Sequence, residues 1–342
     1  MSRYLPPEWA HQHATLLVWP RTGADWGHGL AAARAVIADM AAVLCGHQQV
    51  ILVAADDEAL SSIAGHPVLG ELGHHRLRVV SAPNNDIWAR DTGPITVVDT
   101  GERIFTDFRF DGWGGQFEAD NDDRLTATLF EAGAFGPGQL DRREQTLEGG
   151  SIETNGAGAL LTTERCLIAG RRNAGIDRPR AEALLADAFG IERVHWLAHG
   201  DLIGDDTDGH IDTLARFVAD DTIVYQACDD PADAHHEPLA AMADELAGLR
   251  TADNRAYRLV ALPLPQPVHD PDDGHRLPAG YANFLIANGC VLVPAFGDPA
   301  DEVAQRVIGE LFPGRVVEPI DSRALIRQHG GLHCAAMQIP AV

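Results

Sequence analysis

The chain has 342 residues, 45% hydrophobic and 22% charged, the balance of a folded globular protein rather than a disordered one. Its 50 acidic against 26 basic residues give a formal charge of −24. That charge argues against nucleic acid or an anionic membrane as partner and suits equally a cationic small substrate or a surface that is acidic only for solubility.

In chain order, residues 14–19 read as a strand, 28–45 as an alanine-rich helix and 49–54 as a buried strand. A short helix at 57–64 and a strand at 77–80 follow. Strands at 94–99 and 103–109, a helix at 120–133 and a strand at 144–148 form the next group. The same order recurs in strands at 159–163 and 166–169, a helix at 178–189 and a strand at 192–197. It recurs again in strands at 211–218 and 222–227, a helix at 235–249 and a strand at 257–262. The last full group has strands at 281–287 and 290–294, a helix at 300–312 and a strand at 315–319. A strand at 332–339 starts one more unit that only the N-terminal strand, helix and strand can complete.

A strand-strand-helix-strand unit repeated in this way predicts an α/β protein, specifically a five-bladed α/β propeller of pseudo-fivefold repeats. The ordinary alternative is a three-layer α/β fold, whose elements also alternate. The incomplete last unit favours one closed domain over residues 1–342, sealed by pairing of the N- and C-terminal segments. No segment reads as an apolar run of bilayer length. The opening MSRYLPPEWAHQHA lacks the basic-then-apolar pattern of a signal peptide, so a cytoplasmic location is expected. The five cysteines show no CxxC spacing, which fits reduced thiols. Cys45, Cys166, Cys228 and Cys290 read as small buried hydrophobes, and Cys334 stands apart.

The repeat also gathers the chemistry. Asp91, Glu148, the pair His210/Asp212 and Cys334 all fall at or just before the first strand of successive units, so a ring would bring them to one pocket. Tyr281 and Asn283 are the least reactive contribution. Two carboxylates such as Asp91 and Asp212 can grip a planar guanidinium, a thiolate can attack its carbon, and an imidazole can protonate departing ammonia. Glu148 would bind a further nitrogen or steady His210. Taken singly, each acid reads more readily as a cap or turn residue, and Cys334 as a core thiol; their coincidence in the repeat is what favours a site. Metal binding is the chemical rival. His74-His75 and His235-His236 lack the partner spacing of a zinc site and read as solvated side chains, so no metal is expected. GWGG at 112–115 is not a phosphate loop, and no cofactor is implied.

The segments NDIWARDTGPI, FDGWGGQFEADND, LEGGSIETNGAG, GDDTDGHIDTLARF, HRLPAGYANFLIANGCVLVPAFGDP and RALIRQHGGLHCAAMQIP resemble the agmatine deiminase family. That family groups with the bacterial-type peptidylarginine deiminases in the guanidine-modifying (pentein) superfamily. The resemblance runs from about residue 6 to 340. It implies the five-bladed fold, hydrolysis of agmatine to N-carbamoylputrescine and ammonia, Cys334 as nucleophile and His210 as general acid/base. It matches Asp91 and Asp212 to the guanidinium-binding acids and Glu148 to the acid that completes the site. Trp88 and Trp113 fall in motifs that line the pocket, and Asp205 and Asp206 are the expected contacts of the ammonium end. Family members are often homo-oligomers. The chain departs from the common pattern at Asp208 and Thr213, both often Asn. Peptidylarginine, free arginine (with Arg90 or Arg109 as a carboxylate clamp) and a non-catalytic guanidine binder are the alternatives.

Overall fold

The computed structural model describes residues 3–72, 76–169 and 171–342. Among these, sixteen strands form five separate sheets. The chain opens with β1 (Gln12–Val18), β2 (Gln49–Ala54) and β3 (Leu77–Ser81). The next sheet holds β4 (Ile95–Asp99), β5 (Glu102–Arg109) and β6 (Gln139–Thr146), and the one after it β7 (Ile152–Thr154), β8 (Ala159–Thr163) and β9 (Arg193–Leu197). Then come β10 (Ala215–Ala219), β11 (Thr222–Gln226) and β12 (Arg258–Leu262), followed by β13 (Leu285–Ile286), β14 (Cys290–Ala295) and β15 (Val316–Asp321). Finally β16 (Ala336–Pro340) returns to pair with β1.

One pattern governs every sheet. The first strand runs antiparallel to the second, and the second parallel to the third. The antiparallel pair needs only a short link. Between Asp99 and Glu102, Thr100 (φ 50°) and Gly101 (φ 85°) form the two-residue turn whose left-handed backbone matches strand twist. The parallel pair needs a crossover, which the helices Leu30–Cys45, Leu125–Glu131, Arg178–Phe189, His236–Gly248 and Ala300–Leu311 provide. The chain ends share the remaining sheet, in the order β16-β1-β2-β3, with β3 an additional parallel strand. Central strands such as LLV of β1 and VLV of β14 are apolar on both faces because both are covered.

Three expectations need correction. Residues 166–169 are no strand: Glu164–Leu167 is a helical turn, capped by Thr163 Oγ1, which accepts from the Cys166 N–H at 3.3 Å. The first strand of that unit is instead β7, a three-residue segment too short to show alternation. Segment Gly27–Cys45, with mean hydropathy 1.4, does reach the length and apolarity of a membrane span. Its Ala33, Ile37, Ala38, Met40, Ala41 and Leu44 are fully buried in the core, where the helix covers β2 and β15. Its alanine content raised the hydropathy without making the helix apolar all round: Arg34 and Asp39 lie on it.

What positions the site is the short non-strand segment ahead of each first strand. The turn Ala89–Thr92 precedes β4, Gly149–Ser151 precedes β7 and Ile211–Thr213 precedes β10. Asn283 lies just ahead of β13, and Cys334 just ahead of β16.

Candidate active site

Cys334 is buried, with its thiol 3.6 Å from Asp212 Oδ2 and 3.2 Å from the Asn283 amide nitrogen, which donates to the sulfur. Asn283 Oδ1 in turn accepts from the His333 N–H at 2.9 Å and the Cys334 N–H at 3.3 Å. Asn283, expected to be the least reactive contribution, therefore fixes the nucleophile's backbone and side chain together. The glycines before the thiol are demanded by space: a Cβ on Gly330 would meet the Trp88 ring at 2.2 Å, and one on Gly331 would meet Asn283 Oδ1 at 2.4 Å.

His210, Asp91 and Glu148 form the facing group. Asp91 Oδ1 accepts from the Gly150 N–H at 2.9 Å and Oδ2 from the Trp113 indole at 3.0 Å. His210 Nδ1 lies 3.8 Å from Asp91 Oδ1, and Nε2 lies 4.0 Å from Glu148 Oε2. Gly150 is the spacer that allows this approach, since a Cβ there would meet His210 Nδ1 at 2.5 Å. Glu148 Oε1 accepts from Arg172 Nε at 2.7 Å, and Arg172 also reaches Asp208 Oδ2 at 2.7 Å. Asp208, in the left-handed region at φ 65°, is thus a brace for Arg172. Thr213, the other departure from the common pattern, caps locally by donating to the His210 carbonyl.

Several buried atoms have no protein partner among the described residues: Asp212 Oδ1, Glu148 Oε2 and both His210 ring nitrogens. An unmatched buried polar group costs about 1–3 kcal/mol. Four at one place mark a surface shaped for a polar ligand. Burial alone would favour neutral His210, but Asp91, Cys166 and Glu148 outweigh it and hold the imidazole well above its ordinary range. The Cys334 thiol is also pushed well up, first by burial and then by Asp212 and Asp91. Asp212 goes the other way: burial raises it, but His333, His210 and Arg216 hold it below the usual range.

Beneath Asp212 lies a second set of charges that the sequence reading missed. His333 Nδ1 is 2.7 Å from Asp212 Oδ2, and its Nε2 is 2.6 Å from Glu8 Oε2. The imidazole thus bridges two buried carboxylates. Glu8 Oε2 also accepts from Arg216 Nη2 at 2.6 Å, Arg216 Nε reaches Glu153 Oε2 at 2.7 Å, and Arg90 Nη2 stands 3.7 Å from Glu8. Three carboxylates thus meet two guanidiniums and the His333 imidazole in the interior. Arg90 is committed there and to Gln338, away from the pocket, and Arg109 does not line the pocket either, so neither is a substrate clamp.

The open side is a cavity of about 230 Å³. Trp88, Trp113, Asp91 and Cys334 line it, with Phe117, Thr207 and the 327–330 turn. Its mouth carries Asp206, as expected, and also Asp25 and Asp86, which were not foreseen. Asp205 is turned away: it accepts from Thr207 Oγ1 at 2.5 Å and the Gly209 N–H at 2.7 Å, stapling the loop before His210. A run of acids in sequence cannot say which one faces inward. Arg327 also borders the cavity, but its guanidinium pairs with Asp270 and Asp272.

Cys166, read as a core thiol, is buried beside His210 and Glu148, with ligand atoms of the three within 4.8 Å of one another. His235, read as solvated, is buried and accepts from the Ile203 N–H at 2.8 Å, while its Nδ1 meets Asp233. His74-His75 lie outside the described residues.

A thiol and carboxylates on one small acidic cavity, with an imidazole buried beside Asp91, in a mixed α/β fold, make an apparatus for covalent chemistry on a planar cation. The sequence pattern of the Porphyromonas-type peptidyl-arginine deiminases matches residues 4–340, and the chain belongs to that family. It is 34% identical to the agmatine deiminase of Stutzerimonas stutzeri (strain A1501), over 99% of this chain and 95% of that protein. Among solved structures, a C. jejuni agmatine deiminase carrying a cysteine-to-serine substitution, with substrate bound, is 31% identical at a TM-score of 0.90, covering 98% of this chain and 96% of that one. A Porphyromonas gingivalis protein provisionally described as an arginine deiminase is 44% identical at a TM-score of 0.91, covering 99% and 98%.

Two outcomes follow from these contacts. Glu8→Gln leaves Arg216 and His333 short of a buried anion and should destabilise the protein by about 3–5 kcal/mol at neutral pH. Burial raises the Glu8 carboxyl, but Arg216, His333 and Arg90 outweigh it and leave it far below the usual range. Its contribution is therefore present above the usual carboxylate range and lost as pH falls, so the gap from wild type should narrow on acidification. Urea unfolding across pH reads this, and equal stabilities at neutral pH would contradict it. Second, a cationic electrophile, chloroacetamidine, should alkylate Cys334 at lower pH than neutral chloroacetamide, because the cation offsets the carboxylates that raise the thiol. Superimposable pH profiles would contradict this.

Proposed function

We propose that this protein is an agmatine deiminase, a hydrolase of the terminal C–N bond of a guanidinium. The observation that carries the reading is a cavity lined by Cys334 and Asp91, next to which Asp212 Oδ1, Glu148 Oε2 and both His210 nitrogens are buried without protein partners among the described residues. A guanidinium presents N–H donors in a plane and meets carboxylates from two sides. Asp91 and Asp212 bind it, and Glu148 completes the acceptor set near His210. Arrival of the cation lowers the thiol's pKa and releases its proton. The Cys334 sulfur then bonds to the guanidinium carbon, and the tetrahedral adduct collapses as His210 passes its proton to a terminal nitrogen, which leaves as ammonia. Water adds to the resulting thiouronium carbon and gives a proton to His210. The S–C bond breaks, leaving N-carbamoylputrescine and a regenerated thiol. No step in this account calls for a cofactor.

The five sheets share one strand order, and each places a polar residue of the site just ahead of its first strand. We take them as five blades about one axis, forming a single domain that β16 and β1 close. The substrate's tail then points to the mouth, where Trp88 and Trp113 flank the methylenes and Asp206, with Asp86 and Asp25, faces the ammonium. A carboxylate in that position would meet acids, with Arg327 already paired, which favours agmatine over free arginine.

Burial lifts Asp206 to about 6, as Asp205 also does, and burial lifts Asp86 to about 6. Both lose their charge as pH falls below that value, so KM for agmatine should climb there while kcat for bound substrate changes less. Asp206→Asn should raise KM about tenfold at neutral pH, the scale of one lost charge-assisted contact, with kcat largely kept. Ammonia release from agmatine, arginine and a blocked arginine peptide, with Cys334→Ala alongside, tests the whole reading. Release from agmatine alone, abolished by Cys334→Ala, is expected. Turnover of arginine in preference to agmatine, or activity surviving in Cys334→Ala, would overturn it.

A further inference from the structure

We propose that Glu148, Cys166 and His210 form a site for a soft divalent cation, zinc in class, which takes the imidazole out of the reaction when filled. The local fold assembles it. Thr163 Oγ1 caps the Glu164–Leu167 turn and also donates to the Gly209 carbonyl at 2.7 Å, so the Cys166 turn is tied to the loop that carries His210. The carboxylate, thiol and imidazole atoms then lie within 4.8 Å of one another, all in buried residues. Around zinc, ligand atoms at about 2.0–2.3 Å from the metal stand about 3.5 Å apart, so the three need only a small contraction. Nor are they committed elsewhere: Glu148 Oε2 and both His210 nitrogens lack protein partners among the described residues. A thiolate, an imidazole and one carboxylate are the donors of a borderline-soft ion and not of magnesium or calcium.

The buried Arg172 guanidinium donates to Glu148 Oε1 at 2.7 Å. Glu148 uses one oxygen for Arg172 and has the other free for the metal, so the guanidinium orients the ligand and does not compete for it. The predicted loss of turnover rests on the role given to His210 above, whereas the site itself does not.

The test is a cobalt(II) titration of the reduced, metal-free full-length protein, reading the near-ultraviolet thiolate-to-cobalt absorption. One saturating equivalent is expected in wild type and in Cys334→Ser, with the band absent in Cys166→Ser and in Cys166→Ala and displaced by zinc. Loss of the band in Cys334→Ser with retention in Cys166→Ser would place the ion on the nucleophile and overturn the proposal, as would no band in any form. All three variants are checked by circular dichroism, and metal-free turnover of agmatine should stay within a few-fold of wild type in Cys166→Ser and Cys166→Ala. Zinc should inhibit wild type reversibly to chelator, and Cys166→Ser should need about tenfold more zinc or above. Equal sensitivity of the two would count against the site. Because the cobalt band is read without substrate, it stands or falls separately from agmatine turnover.

Discussion

The contact of the His333 ring with Asp212 on one side and Glu8 on the other is the interaction on which the rest of the site depends. A pocket for a guanidinium needs ionised carboxylates in a dry interior, where an isolated charge is strongly unfavourable. Here the cost is offset from below. His333 Nδ1 lies 2.7 Å from Asp212 Oδ2 and helps hold that carboxyl below the usual range, while Oδ1 has no protein partner among the described residues. Glu8 balances His333 and Arg216, and Glu153 balances Arg216 in turn. The N-terminal segment, remote in sequence from the nucleophile, is thereby part of what keeps the pocket anionic.

That arrangement gives the fold its meaning. Five sheets with one strand order let five short segments contribute side chains that no single helix or loop could gather. Each segment precedes a buried strand, so its backbone is rigid while its side chains remain free to turn inward. Asn283 shows the economy of the device. A neutral amide in the fourth unit binds the Cys334 backbone and sulfur at once and stiffens the nucleophile without adding a further charge.

Much of this was legible in the sequence because polar residues interrupt apolar runs at repeated places. Asp91, Glu148, His210, Asp212 and Cys334 each stand ahead of a strand; Asp91 and Cys334 line the cavity, with His210 beside Asp91, Glu148 beside His210 and Asp212 beside Cys334. Other features left no such trace. Cys166 sits in an apolar stretch whose composition reads as a strand, and only the Thr163 cap makes it a helical turn facing His210. Asp205 and Asp206 are chemically identical neighbours, separated by a loop geometry in which one staples Gly209 and the other faces the cavity. Glu8 and Arg172 matter through partners far away in sequence, and periodicity carries no information about such pairs. The N-terminal helix misled in a different way: its many alanines raise hydropathy, yet they serve close packing on a sheet.

The central claim is that Cys334 becomes covalently attached to the amidine carbon during turnover. Rapid acid quench of enzyme mixed with excess agmatine, followed by intact mass and peptide mapping, tests it directly. The account predicts a transient adduct of substrate less ammonia on the peptide bearing Cys334, absent when that residue is alanine. Steady turnover with no adduct at any quench time would contradict it.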